Sequence, residues 1–189
     1  MLTSTGPKIE RNLKTKLHSS LNKIDNIEIN SFGEKNINKV FYVIKRSPGS
    51  GFFSNFIYVL NHINICEKFN FIPIIDMKNF KTIYNERKNF LKGNAWNYYF
   101  KNLNKYTLSE VYKSKNVIFS GEIFNKSNYF NFEKILFEKK LNKYFKNLQK
   151  KYIKINPEIK NEYNKFVKKF KNEKVLGLHL RGTTYKNAP

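Results

Sequence analysis

The chain has 189 residues, 40 % of them hydrophobic and 16 % aromatic, enough for one domain with a conventional apolar core and too apolar for wholesale disorder. Its 36 basic and 14 acidic residues give a net charge of +22, which favours polyanionic partners as a class. One cysteine, Cys66, excludes an intramolecular disulfide, and no segment approaches the roughly 18 uninterrupted apolar residues of a membrane span.

The N-terminal MLTSTGPKIERN lacks an apolar signal core, so a soluble, cytoplasmic chain is expected. The basic excess is nearly all lysine, with arginine only at positions 11, 46, 87 and 181. Surfaces that read phosphates and base edges lean on the arginine fork. Lysine mixed everywhere with asparagine, isoleucine, phenylalanine and tyrosine reads instead as a solvated surface, and no specific nucleic-acid partner is expected.

In chain order, residues 1–38 are polar and weakly patterned. Leu13, Leu17, Leu21 and Ile24 allow a short amphipathic helix, and a loose stretch through Asn38 makes this region an N-terminal arm or peripheral helix. Residues 39–189 form the expected main domain. Lys39–Lys45 is a short β-branched and aromatic run that predicts a buried strand. Ser47-Pro48-Gly49-Ser50-Gly51 breaks it, and Phe53, Phe56, Ile57, Leu60 and Ile63 then recur at helical period to about Phe69. Phe71–Ile75, ending at Asp76, predicts a second strand, parallel to the first because a helix connects them. Residues 77–115 read as irregular and aromatic, Asn116–Ser120 as a third strand, and Phe132 to Tyr152, including Tyr144, as one helical stripe. Asn156 and Pro157 open a further helix whose Ile159, Tyr163, Phe166, Val167 and Phe170 share a face. Lys174–Leu180 predicts a fourth strand that runs into Arg181-Gly182-Thr183-Thr184. The expected fold is α/β, a Rossmann-like parallel sheet flanked by helices.

Two constellations carry chemistry. Gly49-Ser-Gly-Phe-Phe-Ser54 holds two of the three glycines of a dinucleotide fingerprint, with Asp76 where the ribose-binding acid would stand, and it reads either as an anion cradle at a helix N-terminus or as a plain connecting turn. In Gly177-Leu-His179-Leu-Arg181-Gly182-Thr183, His179 and Arg181 project to one side at a strand's carboxyl end. There an arginine grips phosphate bidentately and a glycine lets the backbone approach. His62 and Cys66 share a helix face, which fits a packed histidine and a buried thiol better than a metal site.

With Phe41–Asn55, Phe71–Met77 and Asn94–Tyr99, the His-x-Arg-Gly-Thr segment resembles the N-terminal half of bacterial fucosyltransferase-like glycosyltransferases, a group similar to nodulation α-1,6-fucosyltransferases and protein O-fucosyltransferases. The resemblance runs from about Lys39 to Pro189. It implies a GT-B enzyme with two Rossmann-like domains, of which this chain holds the first and lacks the second. Such an enzyme moves a sugar, fucose by resemblance, from a GDP-sugar to a glycan or other hydroxyl acceptor with inversion, without metal or other cofactor. Arg181 would offset charge on departing GDP. His179, Gly182, Thr183, Gly49, Gly51 and Asn55 would line the nucleotide-sugar site, and Asp76 or Glu86 would serve as catalytic base, Glu122 being a third carboxylate in view. Thr184 stands where many relatives carry aspartate. The alternative expectation is a basic binding module for nucleic acid or an anionic membrane, and peripheral contact with the inner membrane face is a further expected property.

Overall fold

A computed structural model describes residues 24–25, 28–45, 51–82, 84–85, 93–123, 138–170 and 173–177, excepting the side chains of 24–25 and 122–123. Two units are distinguished, Met1–Ile155 and Asn156–Pro189. The first carries strands β1 (Ile24–Asp25), β2 (Glu28–Asn30), β3 (Lys35–Ile44), β4 (Ile72–Ile75), β5 (Ser114–Phe119) and β6 (Glu122–Ile123). It also carries helices α1 (Phe52–Phe69), α2 (Trp96–Tyr99), α3 (Leu108–Val111) and α4 (Lys139–Tyr152), whereas α5 (Pro157–Lys168) belongs to the second unit.

The apolar run predicted at 39–45 becomes the middle of the sheet. The order is β2-β5-β3-β4, with β3 parallel to both β4 and β5 and β2 antiparallel to β5. β1 pairs with β6 in the register that β2 holds with β5. The fold is therefore α/β with a mixed four-stranded sheet flanked by helices, not the all-parallel sheet expected. The loose stretch expected before Asn38 is corrected as well, since β2 and the start of β3 lie in the sheet and the boundary drawn at 38/39 cuts one strand. β2 is polar because it is an edge strand, half solvated, so its sequence lacks the alternation that marks a buried one. Gly33 carries the turn between β2 and β3 so close over Lys113 that a Cβ would stand 2.8 Å from its carbonyl oxygen.

Strand alternation splits the core between two faces. Tyr42, Ile44, Ile75 and Ile118 pack with α1 and with Phe145 and Leu148 of α4, while Phe41, Val43, Ile74, Val117 and Phe119 pack with Val111 of α3. α1 is buried almost all round from Asn55 to Cys66. Phe52–Cys66 contains no Lys, Arg, Asp or Glu, and a helix without a charged face is one with a neighbour on every side. Phe53 departs from the expected apolar stripe: in the first turn, it is 71 % exposed. Tyr144 is likewise exposed at the edge of the α4 stripe, its hydroxyl donating to Asn64 at 2.7 Å.

The outer edge of β4 is closed by side chains. Asn94 imitates a neighbouring strand, its Nδ2 donating to the Ile75 carbonyl at 2.7 Å and its Oδ1 accepting from the Met77 N–H at 3.1 Å. Asn104 Nδ2 donates to the Pro73 carbonyl at 2.6 Å, and Pro73 has no N–H to offer a further strand. The irregular region expected at 77–115 thus contains two short helices and these edge caps. α3 opens with a capping box in which Thr107 accepts from the Glu110 N–H and Glu110 accepts from the Thr107 N–H.

In the second unit, Asn156 caps α5 as expected, its side chain accepting from the Glu158 N–H with Pro157 at the first helical position. The shared apolar face is not buried: Tyr163, Phe166 and Val167 are all exposed. The strand expected at 174–180 is corrected over its described part, because Lys174–Gly177 is exposed and outside any strand. The flank of β5, where a further parallel strand would have added, carries β2. Residues 178–180, like Phe132 and Leu136 of the expected helical stripe, lie outside the described residues.

Candidate functional site at the carboxyl edge of the sheet

The chain enters the parallel trio at β3, crosses through α1 to β4 on one side, and later returns to β5 on the other. In open α/β sheets ligands settle outside the carboxyl ends of the strands where the order reverses. Here that place is the edge formed by Lys45, Ser120 and Gly121 beside the start of α1.

α1 starts without a side-chain cap. Gly51 is the N-cap, in extended conformation, and the first turn has no acidic residue. A helix N-terminus leaves N–H donors and a positive dipole end, which suit an anion. Asn55 is buried one turn on, and both its backbone N–H and its Nδ2 donate to the Gly51 carbonyl at 3.1 Å. Gly51 and Asn55 are therefore brought together as the sequence suggests.

Lys45, not singled out from the sequence, is half-buried at the end of β3. Its N–H donates to Ser120 Oγ at 2.9 Å, its Nζ reaches Glu28 at 3.4 Å, and the same Nζ lies 5.4 Å from the Phe80 ring centroid. Ser120 returns its N–H to the Val43 carbonyl at 2.8 Å, and Tyr58 on α1 donates to the Gly121 carbonyl at 3.0 Å. These bonds tie the ends of β3 and β5 to α1 and hold the edge rigid. The signal available in the sequence was position alone, a lysine closing an apolar strand.

Beneath the edge lies a buried polar pair. Tyr42 and His62 are fully buried, and the Tyr42 hydroxyl is 3.0 Å from His62 Nδ1, while Nε2 has no hydrogen-bond partner among the described residues. Burial, aided by the Lys45 charge, lowers His62 from 6.5 to about 3, so the ring is neutral at physiological pH. Cys66 is also buried, and desolvation raises its thiol well above the ordinary value. The pair behaves as packed core, as the helix spacing suggests.

Asp76 stands at the carboxyl end of β4, but on the other face of the sheet. It is fully buried, and its carboxylate accepts from the N–H groups of Lys78 at 3.1 Å and Asn79 at 2.9 Å, from Asn79 Nδ2 at 2.8 Å and from the Tyr112 hydroxyl at 2.6 Å. Burial and the hydrogen bond to Asp76 push the Tyr112 phenol upward. Four internal donors and no exposed surface make Asp76 the anchor of the turn after β4, where a base would need an oxygen facing an acceptor hydroxyl. The structure does not bring it to Gly51 and Asn55. Strand alternation explains the difference: Ile75 faces α1, so its successor faces α3. Gly49, Glu86, His179, Arg181, Gly182 and Thr183 lie outside the described residues, as does the side chain of Glu122.

A cluster of aromatic rings with only about 20 Å³ of free space among them lies beside the first turn of α1, formed by Phe52, Phe56, Trp96, Tyr99 and Phe100 with Asn55 at its margin. Phe52 and Tyr99 meet edge to face with centroids 4.9 Å apart, and Trp96 and Phe100 stand 4.5 Å apart. Trp96 Nε1 donates to the Lys101 carbonyl at 3.2 Å, which fixes the indole. The N-terminus of α1 and these rings lie within one helical turn of each other.

Among the described residues no three of histidine, cysteine, aspartate and glutamate converge to hold a metal. No described helix is long and apolar enough to cross a membrane. Compared with protein-family models, with curated proteins and with solved structures, the chain has no significant match.

Proposed function

We propose that the chain is the N-terminal, Rossmann-like part of a glycosyltransferase, resembling the fucosyltransferase-like GT-B enzymes, and that the carboxyl edge of its sheet receives the diphosphate of a GDP-sugar. One observation carries the reading: a glycine N-cap and a first turn without acidic residues bring the N-terminus of α1 to the point where the order of a parallel trio reverses. The positive dipole end of a helix suits a leaving diphosphate, whose departure needs charge stabilisation. Arg181 and His179 are assigned to the same diphosphate on the strength of the sequence motif, with Gly182 and Thr183 beside them. The base is left to Glu86 or Glu122, because Asp76 is engaged by four donors.

The test is an amide-resonance titration of the full chain with GDP, alongside inorganic sulfate. Shifts concentrated at Gly51–Asn55 and Ser120–Gly121, saturating with GDP and weakened in Arg181→Lys, support the reading. Shifts scattered over lysines, equal for sulfate and GDP, or none at millimolar GDP, refute it.

A further inference from the structure

α4 presents a row of lysines to solvent. Lys139, Lys143, Lys146 and Lys150 recur every third or fourth residue, a line roughly 16 Å long at the helical rise. Phe145 and Leu148, with Leu141 and Tyr152 partly buried beside them, seat the opposite side of the helix in the core. The helix contains no acidic residue, and among the described residues the ion pairs engage Lys45, Lys115 and Lys151 but none of these four. Surface lysines are ordinary in so basic a chain; four unpaired in one straight row, diametrically opposite the core face, are an oriented charge.

The row does not end in more charge. Lys150, its last member, also lines a groove with Phe53, Ile153 and Ile155. Phe53 is 71 % and Ile155 51 % exposed. The Ile153–Ile155 segment is held in place, since the Lys101 N–H donates to the Lys154 carbonyl at 2.8 Å and Phe100 forms a β-bridge with Ile155. Two exposed apolar side chains are thus fixed at the end of a cationic line.

We propose that this composite face docks on an anionic lipid bilayer, the lysine row lying along the headgroup phosphates and Phe53 and Ile155 entering the headgroup–acyl boundary. Lysines alone would suit any polyanion. The apolar tip decides, because a bilayer rewards burying Phe and Ile beside a cationic row, whereas a single nucleic-acid strand asks for aromatic platforms within the charged track, and this row contains only lysine and asparagine between its ends. The proposal does not rest on the sugar-transfer reading, and its test uses neither donor nor acceptor.

The experiment is co-sedimentation of the full chain with vesicles of phosphatidylcholine alone and of equal parts phosphatidylcholine and phosphatidylserine at physiological salt, with a single-stranded oligonucleotide as competitor. Each lysine near an anionic surface strengthens binding about fivefold, so Lys143→Gln/Lys146→Gln should bind the mixed vesicles about thirtyfold more weakly. Phe53→Ser/Ile155→Ser should weaken vesicle binding several-fold and leave oligonucleotide binding unchanged. Lys160→Gln/Lys165→Gln on α5 removes the same charge elsewhere and should matter far less. All six positions are exposed, and unchanged thermal midpoints qualify the variants. No binding to the mixed vesicles, an equal loss in the α5 variant, or indifference to the Phe53/Ile155 change would overturn the proposal, and the last result with tight oligonucleotide binding would assign the row to nucleic acid.

Discussion

The buried Tyr42–His62 pair makes stability depend on pH over a window below about 6.5, the upper part of which lies above the carboxylate range. His62 takes its proton near 6.5 when unfolded and at about 3 when folded. As pH falls, the unfolded chain binds the proton first, so the contribution is complete above about 6.5, and is lost progressively between there and about 3. Near pH 5 the loss is about 2 kcal/mol, a figure governed by the unfolded value because the folded ring is still neutral there. For a chain of this size that is a fall in thermal midpoint of roughly 4 to 8 °C between pH 7.5 and 5. The comparison is Tyr42→Phe/His62→Leu, which removes both polar ends together; His62→Leu alone would strand the Tyr42 hydroxyl at a cost of about 1 to 3 kcal/mol. Midpoints of wild type and double variant measured by calorimetry from pH 7.5 to 5 should diverge by that amount, the wild type falling more steeply. Parallel curves would show that His62 is not held neutral by burial and would refute the reasoning.

Asp76→Ala, by stranding four donors at the end of β4, should destabilise by about 3 kcal/mol, a drop of roughly 6 to 12 °C, with Asp76→Asn milder; an unchanged midpoint would return Asp76 to the candidate bases. Thr107→Ala breaks the capping box of α3 and should cost about 1 kcal/mol in urea unfolding with an unchanged slope against denaturant. Cys66 should react with a thiol reagent only on the timescale of opening or after denaturation, since burial both shields it and disfavours the thiolate; rapid labelling of the native chain would contradict its placement.

Much of the secondary structure is written locally. The uncharged run from Phe52 to Cys66 identifies a helix buried on all sides, the short apolar runs at 39–45, 71–75 and 116–120 identify buried strands, and Asn156-Pro157 marks where α5 begins. These follow from the period of side chains along an element, which needs no partner to be read. The capping box at Thr107 and Glu110 was equally present in the sequence, but α3, which it opens, and α2 were both hidden by the aromatic, turn-rich residues around them. What lay beyond local pattern depends on contacts between distant residues. The polar Glu28–Asn30 becomes an edge strand because β5 offers it hydrogen bonds, and that pairing makes the sheet mixed. Asp76 becomes an anchor because Tyr112, 36 residues away, donates to it. Phe53 is left exposed although it sits in register with core residues, because burial depends on which neighbours reach the first turn of α1, and helical period alone does not carry that information.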